Sequence, residues 1–241
     1  MSVYCAYGYT DQFLGPVAMI RVFINGISGR MGQMAFEGIN AQTDMVCIGG
    51  ASSHESLINQ LDTFEADLCL DFTKADQVMN HVGLIIAKRI PLLIGTSGID
   101  QQQADQLAAW TKTYHSPCWQ VSNFSIGAVL MMDAAQRAAQ YYPSAQIIER
   151  HAAHKIDQPS QTAFDTRTLM TNIPDIEITS IRDNRYKAEQ DVILSSPYDQ
   201  LVIAHHVTDR RSYLPGILLA IRHMKQISGF CQGLGHMLKH S

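Results

Sequence analysis

The chain of 241 residues is poor in the features that mark disulfide scaffolds, membrane spans or polyanion binders. Its five cysteines are odd in number and widely scattered, at positions 5, 47, 69, 118 and 231. Cys47 and Cys69 lie inside apolar runs, Met45-Val46-Cys47-Ile48 and Leu68-Cys69-Leu70, which is the setting of buried reduced thiols and not of a disulfide framework. No apolar run approaches the roughly 20 residues that a membrane-spanning helix needs. Residues 1–18 carry neither the positive charge nor the apolar centre of an export signal, so a cytoplasmic protein is expected. A formal net charge of −4, with no basic run and no one-sided basic helix, argues against nucleic acid or a membrane surface as partner. Repeats and low-complexity linkers are also missing. The expected ligand is small.

What the chain does have is apolar content, 46%, enough to fill a large core. From Met19 onward short apolar runs alternate with amphipathic stretches. Strands are expected at Ile20–Asn25, Met45–Gly49, Asp67–Phe72, Pro91–Gly95 and Pro117–Val121, with helices near 30–40, 54–62, 74–88 and 100–114. That alternation is the mark of βαβ units, so the fold class is α/β: a Rossmann-like, doubly wound parallel sheet over 19–123. After Asn123 the pattern changes to a longer helix from Ile126 to about Tyr142, a strand at Ala145–Glu149, a polar loop, and a helix from about Ser160. Three β-rich runs follow at Ile176–Arg182, Asp191–Ser195 and Gln200–Val207, with alternation suited to an antiparallel sheet. Residues 124–211 therefore read as a smaller α+β domain for substrate binding and oligomerisation. The last segment, Leu214–Met237, returns to helical periodicity, and 212–241 is expected to complete the first domain. Met19 reads as the start of the folded chain, with 1–18 an extension of no assigned role.

Strand Ile20–Asn25 runs straight into Gly26-Ile27-Ser28-Gly29-Arg30-Met31-Gly32, which opens a helix. A pyrophosphate needs this arrangement, because glycines allow close backbone approach and a helix start presents unpaired N–H donors. The alternative is an ordinary tight turn. At the second strand end, Ile48-Gly49-Gly50-Ala51-Ser52-Ser53-His54, there is neither an acid for an adenosine ribose nor a cation for a ribose phosphate. Glu55 falls late and Arg30 is the nearest cation, so NADH and NADPH both stay open as cofactor. Two more loops fall at carboxyl ends of strands, Gly95-Thr96-Ser97-Gly98 and Ser122-Asn123-Phe124-Ser125. Their small, hydroxyl and aromatic residues suit a nicotinamide and its ribose, or else Ser97 and Ser125 are plain helix caps.

The stretch Glu149-Arg150-His151-Ala152-Ala153-His154-Lys155-Ile156-Asp157-Gln158-Pro159-Ser160-Gln161-Thr162-Ala163 concentrates titratable groups ahead of a helix start. Reduction of a C=N bond in a dicarboxylate needs cations or N–H donors for the carboxylates and a proton source near the nitrogen. His151 and Lys155 offer charge and protons, while Ser160, Thr162 and the first N–H groups of the helix offer a carboxylate cradle. The competing readings are a histidine pair for a metal, which lacks a nearby third ligand so that no metal is expected, and solvated loop charges beside a helix cap.

Taken together, GISGRMG, LDFTKADQV, GTSG, SNFSIGAVLM and ERHAAHKIDQPSQTA resemble, in order and spacing, the dihydrodipicolinate reductase family. Its patterns are close to GxxGRMG, DFTxP, GTTG, NFSxGV and EAHHxxKxDAPSGTA. The resemblance covers residues 20–165 well, and His205-His206-Val207-Thr208-Asp209-Arg210-Arg211-Ser212-Tyr213 extends it more thinly. It implies reduction of 4-hydroxy-tetrahydrodipicolinate by NADH or NADPH, in lysine and diaminopimelate biosynthesis, by a homotetramer paired through its second domains. It implies His151 as acid/base, Lys155 as proton donor and substrate contact, and Gln161 and Thr162 as the carboxylate cradle. Gly26, Gly29, Arg30, Met31, Gly95, Thr96, Ser97, Asn123 and Phe124 would line the dinucleotide, with Arg210 and Tyr213 approaching from the tail. The chain departs from the family at Ala152, which replaces the second histidine of a pair, at Gln161, which replaces a glycine, and at Ala188-Glu189-Gln190, which replaces Gly-x-His. Those departures keep two alternatives in view: a nicotinamide-binding regulatory protein impaired in catalysis, and a two-domain reductase of another small carboxylate. A catalytic cysteine would favour an aspartate-semialdehyde type, and none occurs between 119 and 230.

Overall fold

A computed structural model of the chain describes residues 19–52, 57–63, 65–96 and 98–235. Expectations placed on residues 1–18, on Ser53-His54-Glu55, on Ser97 and on 236–241 lie outside the described residues. The amino-terminal part forms β1 (Ile20–Asn25), α1 (Arg30–Asn40), β2 (Met45–Ala51), α2 (Leu57–Thr63), β3 (Leu68–Asp71), α3 (Ala75–Ala87), β4 (Leu92–Ile94), α4 (Gln101–Tyr114) and β5 (Cys118–Gln120). The local signals account for the boundaries. Asp100 and Gln103 make a reciprocal capping box at the start of α4, and His115 ends that helix in the left-handed conformation, at φ 54°.

All five strands pair in parallel. Because helices cover both faces, the strands are apolar on both, which explains runs such as Val22-Phe23-Ile24. Val22, Ile24, Leu70, Leu93 and Trp119 point to one side. Phe23, Cys69, Leu92, Ile94 and Cys118 point to the other, where Val78, Val82, Ile85 and Ile86 of α3 and Leu107 of α4 meet them. These side chains are fully buried, each large one contributing about 1.5–3 kcal/mol.

The tail corrects one expectation. Helix α7 (Leu214–His223) forms, but the chain then leaves helical periodicity and adds β10 (Phe230–Gln232) as a sixth strand. Gly229 and Gly233, both at positive φ, bracket this short strand, which lies parallel to β5 with Cys231 opposite Trp119. The final order is β10-β5-β4-β3-β1-β2. Ile217, Leu218 and Ile221 of α7 join the same cluster as Val22 and Ile24, so the tail packs on the first sheet.

Between these segments lie α5 (Ile126–Ala138), β6 (Ser144–His151), α6 (Gln161–Leu169), β7 (Glu177–Arg182), β8 (Ala188–Ser195) and β9 (Gln200–Val207). They form a second sheet of order β7-β6-β8-β9. It is mixed and not purely antiparallel as expected: β7 runs parallel to β6, because α6 serves as the crossover between them. One face packs on α5 and α6 through Met131, Ala135, Ile147, Ala163, Val192 and Leu194. The other has no helix over it among the described residues and carries Ile148, Ile193 and Val202 beside the Arg150–Asp191–His206 network. Among the described residues no helix is long and apolar enough to cross a membrane.

Candidate active site

In the first sheet β1 lies between β2 and β3, so the chain winds away from it in both directions and the carboxyl ends there part into a crevice. Gly26 turns the chain at that point with φ +85°, and a Cβ on it would come within 2.7 Å of the Phe72 carbonyl oxygen. Only glycine fits, and the turn brings the chain to Gly29. That residue is the N-cap of α1 and gives it no side-chain cap, so the first-turn N–H groups keep their capacity for an anion. This cradle is the fit that a dinucleotide pyrophosphate requires. Beneath it sits Asp71, fully buried, whose carboxylate accepts from Asn25 Nδ2 at 2.7 Å, from the Thr73 hydroxyl at 2.7 Å and from the Thr73 N–H at 3.0 Å. The Thr96 hydroxyl donates to the Thr73 carbonyl at 3.0 Å and approaches Asp71 at 3.4 Å. One carboxylate thus ties together the three loops that follow β1, β3 and β4.

The rings of Phe72 and Phe124 meet edge to face, with centroids 5.8 Å apart. Gly95 is what admits them, since a Cβ there would collide with the Phe72 ring. Past this aromatic pair the chain enters the second sheet, and two hydrogen bonds cross the junction. Asn123 Nδ2 donates to the Thr162 hydroxyl at 3.2 Å, and the Ser125 hydroxyl meets His205 Nε2 at 3.1 Å. Ser125 also caps α5, as one of the two alternatives for it held.

A cavity of about 370 Å³ opens at this junction. Met31, Gly95, Ser122, Asn123 and Phe124 line it from the first sheet; His151, Lys155, Ser160, Gln161 and Thr162 line it from the second, and Tyr213 from the tail. Residues far apart in sequence therefore meet around one space. Gly26, Gly29 and Arg30 lie at the glycine turn and outside this lining, as does the exposed Arg210. Thr96 is buried, with its hydroxyl committed to Thr73 and Asp71.

The polar side is built on β6 and α6. Glu149 and His151 are two apart on a strand and share its inner face. Glu149 is completely buried, and its Oε2 pairs with His151 Nδ1. Burial pushes the His151 imidazole below its ordinary range and outweighs the opposing pull of Glu149. Burial also pushes Glu149 up, but hydrogen bonds from Arg182, Ser180 and His151 more than offset it and leave the carboxyl below the usual range. Lys155 pairs with Asp157 at 2.8 Å, a partner that a carboxylate ligand would have to compete with. At the start of α6 the buried Ser160 hydroxyl accepts from the Ala163 N–H, leaving the Gln161 and Thr162 N–H groups without intrahelical partners. The Thr162 hydroxyl accepts from Asn123, so its own proton stays available.

Profiles of protein families match almost the whole described chain: that for the amino terminus of dihydrodipicolinate reductase over residues 20–124, and that for its carboxyl terminus over 127–238. The chain belongs to the dihydrodipicolinate reductase family. The 4-hydroxy-tetrahydrodipicolinate reductase of Coxiella burnetii (strain Dugway 5J108-111) is 33% identical over 91% of this chain and 99% of its own length. That of Moorella thermoacetica is 30% identical over 92% and 99%. Among solved structures, a dipicolinate-bound dihydrodipicolinate reductase from Paenisporosarcina sp. TG-14 superposes with a TM-score of 0.80 at 27% identity, over 91% of this chain and 99% of that one.

The departures from the dihydrodipicolinate reductase pattern now have places. Gln161 turns its side chain along the helix, donating to Asp165 at 2.7 Å, so only its backbone N–H faces the cradle role. Gln190 is buried opposite Glu149 and donates to the Thr166 hydroxyl at 2.7 Å, tying β8 to α6. Ala152 contributes its carbonyl to the Lys155 N–H. Sequence reasoning passed over Glu149, Arg182, His205 and Asp71 as site residues. The i, i+2 spacing of Glu149 and His151 was the available signal for the first; the others become visible only in three dimensions.

Proposed function

We propose that the chain reduces 4-hydroxy-tetrahydrodipicolinate to tetrahydrodipicolinate, with NADH or NADPH as cofactor, in lysine and diaminopimelate biosynthesis. It acts as an oxidoreductase on a small cyclic dicarboxylate. The observation that carries this reading is the cavity that joins Met31, Gly95, Asn123 and Phe124 of the first sheet to His151, Lys155 and the start of α6. The net change adds one hydride and one proton to the substrate and expels one water.

The nicotinamide cofactor, when bound, supplies the hydride. Gly26, Gly29, Arg30 and Met31 would hold its pyrophosphate end, while Gly95, Thr96, Ser97, Ser122, Asn123 and Phe124 would bound the ring side, with Arg210 and Tyr213 approaching from the tail. The Gln161 and Thr162 N–H groups, the Thr162 hydroxyl and Ser160 would take one carboxylate, and Lys155 the other after release from Asp157. His151 would hold or move a proton at Nε2, since Nδ1 is engaged by Glu149. The Asn123–Thr162 bond would place the two halves of the site at reacting distance.

In this reading residues 19–123 with 212–241 form the dinucleotide domain, and 124–211 the substrate and oligomerisation domain. The face of the second sheet opposite α5 and α6, apolar at Ile148, Ile193 and Val202, supports pairing of copies into a homotetramer. The test couples the purified protein to a dihydrodipicolinate synthase and follows oxidation of NADH and of NADPH. Substrate-dependent oxidation is expected. Failure of the folded protein to bind either reduced cofactor would overturn the reading.

A further inference from the structure

Resting on the roles just given to His151 and Lys155, we propose that Glu149 and Arg182 are positioning residues whose one shared ion pair sets both the tautomer of His151 and the place of Lys155. Each end of the pair does a separate task. Glu149, on β6, engages His151 Nδ1 through Oε2 and accepts from Arg182 Nη2 through Oε1 at 2.8 Å. An ionised carboxylate only accepts, so the Nδ1 beside it carries the proton and Nε2 is the bare nitrogen left for the cavity.

Arg182, at the end of β7, donates through Nη1 to the Ile181 carbonyl of its own strand at 2.9 Å and turns Nε and Nη2 to the loop that carries Lys155. Its Nε donates to the Lys155 carbonyl at 3.2 Å and its Nη2 to the Asp157 carbonyl at 2.5 Å. Both carbonyls flank Ile156, whose side chain is 95% exposed and gives the loop no apolar anchor. Near the strand end the Ala153 N–H also donates to Asn184 Oδ1 at 3.2 Å, but at Lys155 and Asp157 it is the guanidinium that fastens the loop to the sheet, itself held by Glu149 and the Ile181 carbonyl. A planar fork spans acceptors on three separate segments in this way; an ammonium, with its three donors on one atom, does not.

The charged and titratable groups around His151 are Glu149 on its own strand, Arg182 on β7, and Lys155 and Asp157 in the loop. The same cavity is also lined by Lys187 just before β8, Glu189 on β8, His205 on β9, and Tyr213. Of these, Glu149 is the one in hydrogen-bond contact with the ring, so its removal changes the proton position while the others stay in place.

Glu149→Gln separates the proposal from a merely structural role. The amide oxygen has to keep accepting from Arg182, which turns the NH2 group onto Nδ1 and forces the ring proton to Nε2. Protein carrying 15N-labelled histidine, with the His151 signal assigned by its loss in His151→Asn, reads this by NMR. The Nδ1–H tautomer is expected in the wild type and the Nε2–H tautomer in Glu149→Gln, with the imidazole titrating lower still. The coupled assay should show kcat about a hundredfold down, its pH profile displaced to lower pH, and the KM for NADH or NADPH unchanged. Arg182→Met should raise the KM for the dicarboxylate about tenfold or more, with Arg182→Lys recovering only part.

A wild-type His151 protonated at Nε2, or a Glu149→Gln protein with the wild-type tautomer and pH profile, overturns the proposal. Unchanged KM in both Arg182 variants overturns its loop-clamping half. Should Glu149→Gln not fold, the wild-type tautomer and Arg182→Lys decide. A tautomer switch between wild type and Glu149→Gln, with a wild type that does not turn over substrate, upholds the positioning role and overturns the functional reading.

Discussion

The two sheets meet at the cavity lined by His151 and Lys155 but are built by opposite means. On the first sheet, apolar on both faces, the ligand-facing edge is made of backbone: a glycine turn, an uncapped helix start, and three loops held by neutral donors on buried Asp71. On the second sheet, covered by helices on one face, the same cavity is lined by charged side chains braced by a buried ion pair. The difference follows from the ligands each edge is proposed to take. A pyrophosphate can be held by N–H dipoles, whereas a dicarboxylate awaiting a proton requires groups that exchange protons and carry charge.

The sharpest way to break this comparison is to exchange the means. His151→Ala and Lys155→Ala should lower kcat/KM in the coupled assay by roughly 10²- to 10⁴-fold while leaving NADH and NADPH dissociation constants within about twofold, measured by fluorescence titration. Cofactor affinity falling in step with rate would mean that the two edges are not separate in function. Gly26→Val should do the reverse: with φ +85° and the Phe72 carbonyl 2.7 Å from any Cβ, it should cost about 2 kcal/mol or more of stability and abolish detectable cofactor binding. Retained binding at wild-type affinity would sink the cradle assignment.

Asp71→Asn probes the hub beneath the first edge. One atom of the amide becomes a donor facing Asn25 or Thr73, which should cost about 1–3 kcal/mol by denaturant unfolding and weaken cofactor more than substrate. An equal loss for both ligands would show that the hub serves the whole fold. The smallest effect concerns pH. His151 and His205 are depressed by burial, and Glu149 is held low by its hydrogen bonds, so in each case the unfolded chain binds the proton first. Their stabilisation is complete above about 6.5, is lost in part as the histidines of the unfolded chain protonate, and is lost further through the carboxylate range. The melting temperature should therefore decline steadily from pH 7 to pH 4, and a flat profile would contradict these shifts.

The first edge is largely legible in the sequence. A site made of backbone leaves glycines in sequence because a Cβ at Gly26 cannot be accommodated, and a helix start announces itself by position. His151 and Lys155 were legible for a different reason, as titratable groups concentrated before a helix start. The bracing of those groups was not. Arg182 lies 33 positions from Glu149, and a strand arginine among alternating residues looks like any solvated cation. Strand β10 escaped notice because three residues are too few to show a period, and the direction of β7 because alternation is the same for parallel and antiparallel neighbours.

Sequence alone determined the alternation of strands and helices, the glycine turn and the order of the motifs, since each depends on interactions among neighbours within a few residues. Tertiary structure alone decided which chemistry faces which: that the tail supplies a sixth strand, that Asn123 reaches Thr162, and that a buried carboxylate stands between His151 and Arg182. Those outcomes depend on contacts between distant strands, whose pairing is set by packing of the whole chain and leaves no local period to read.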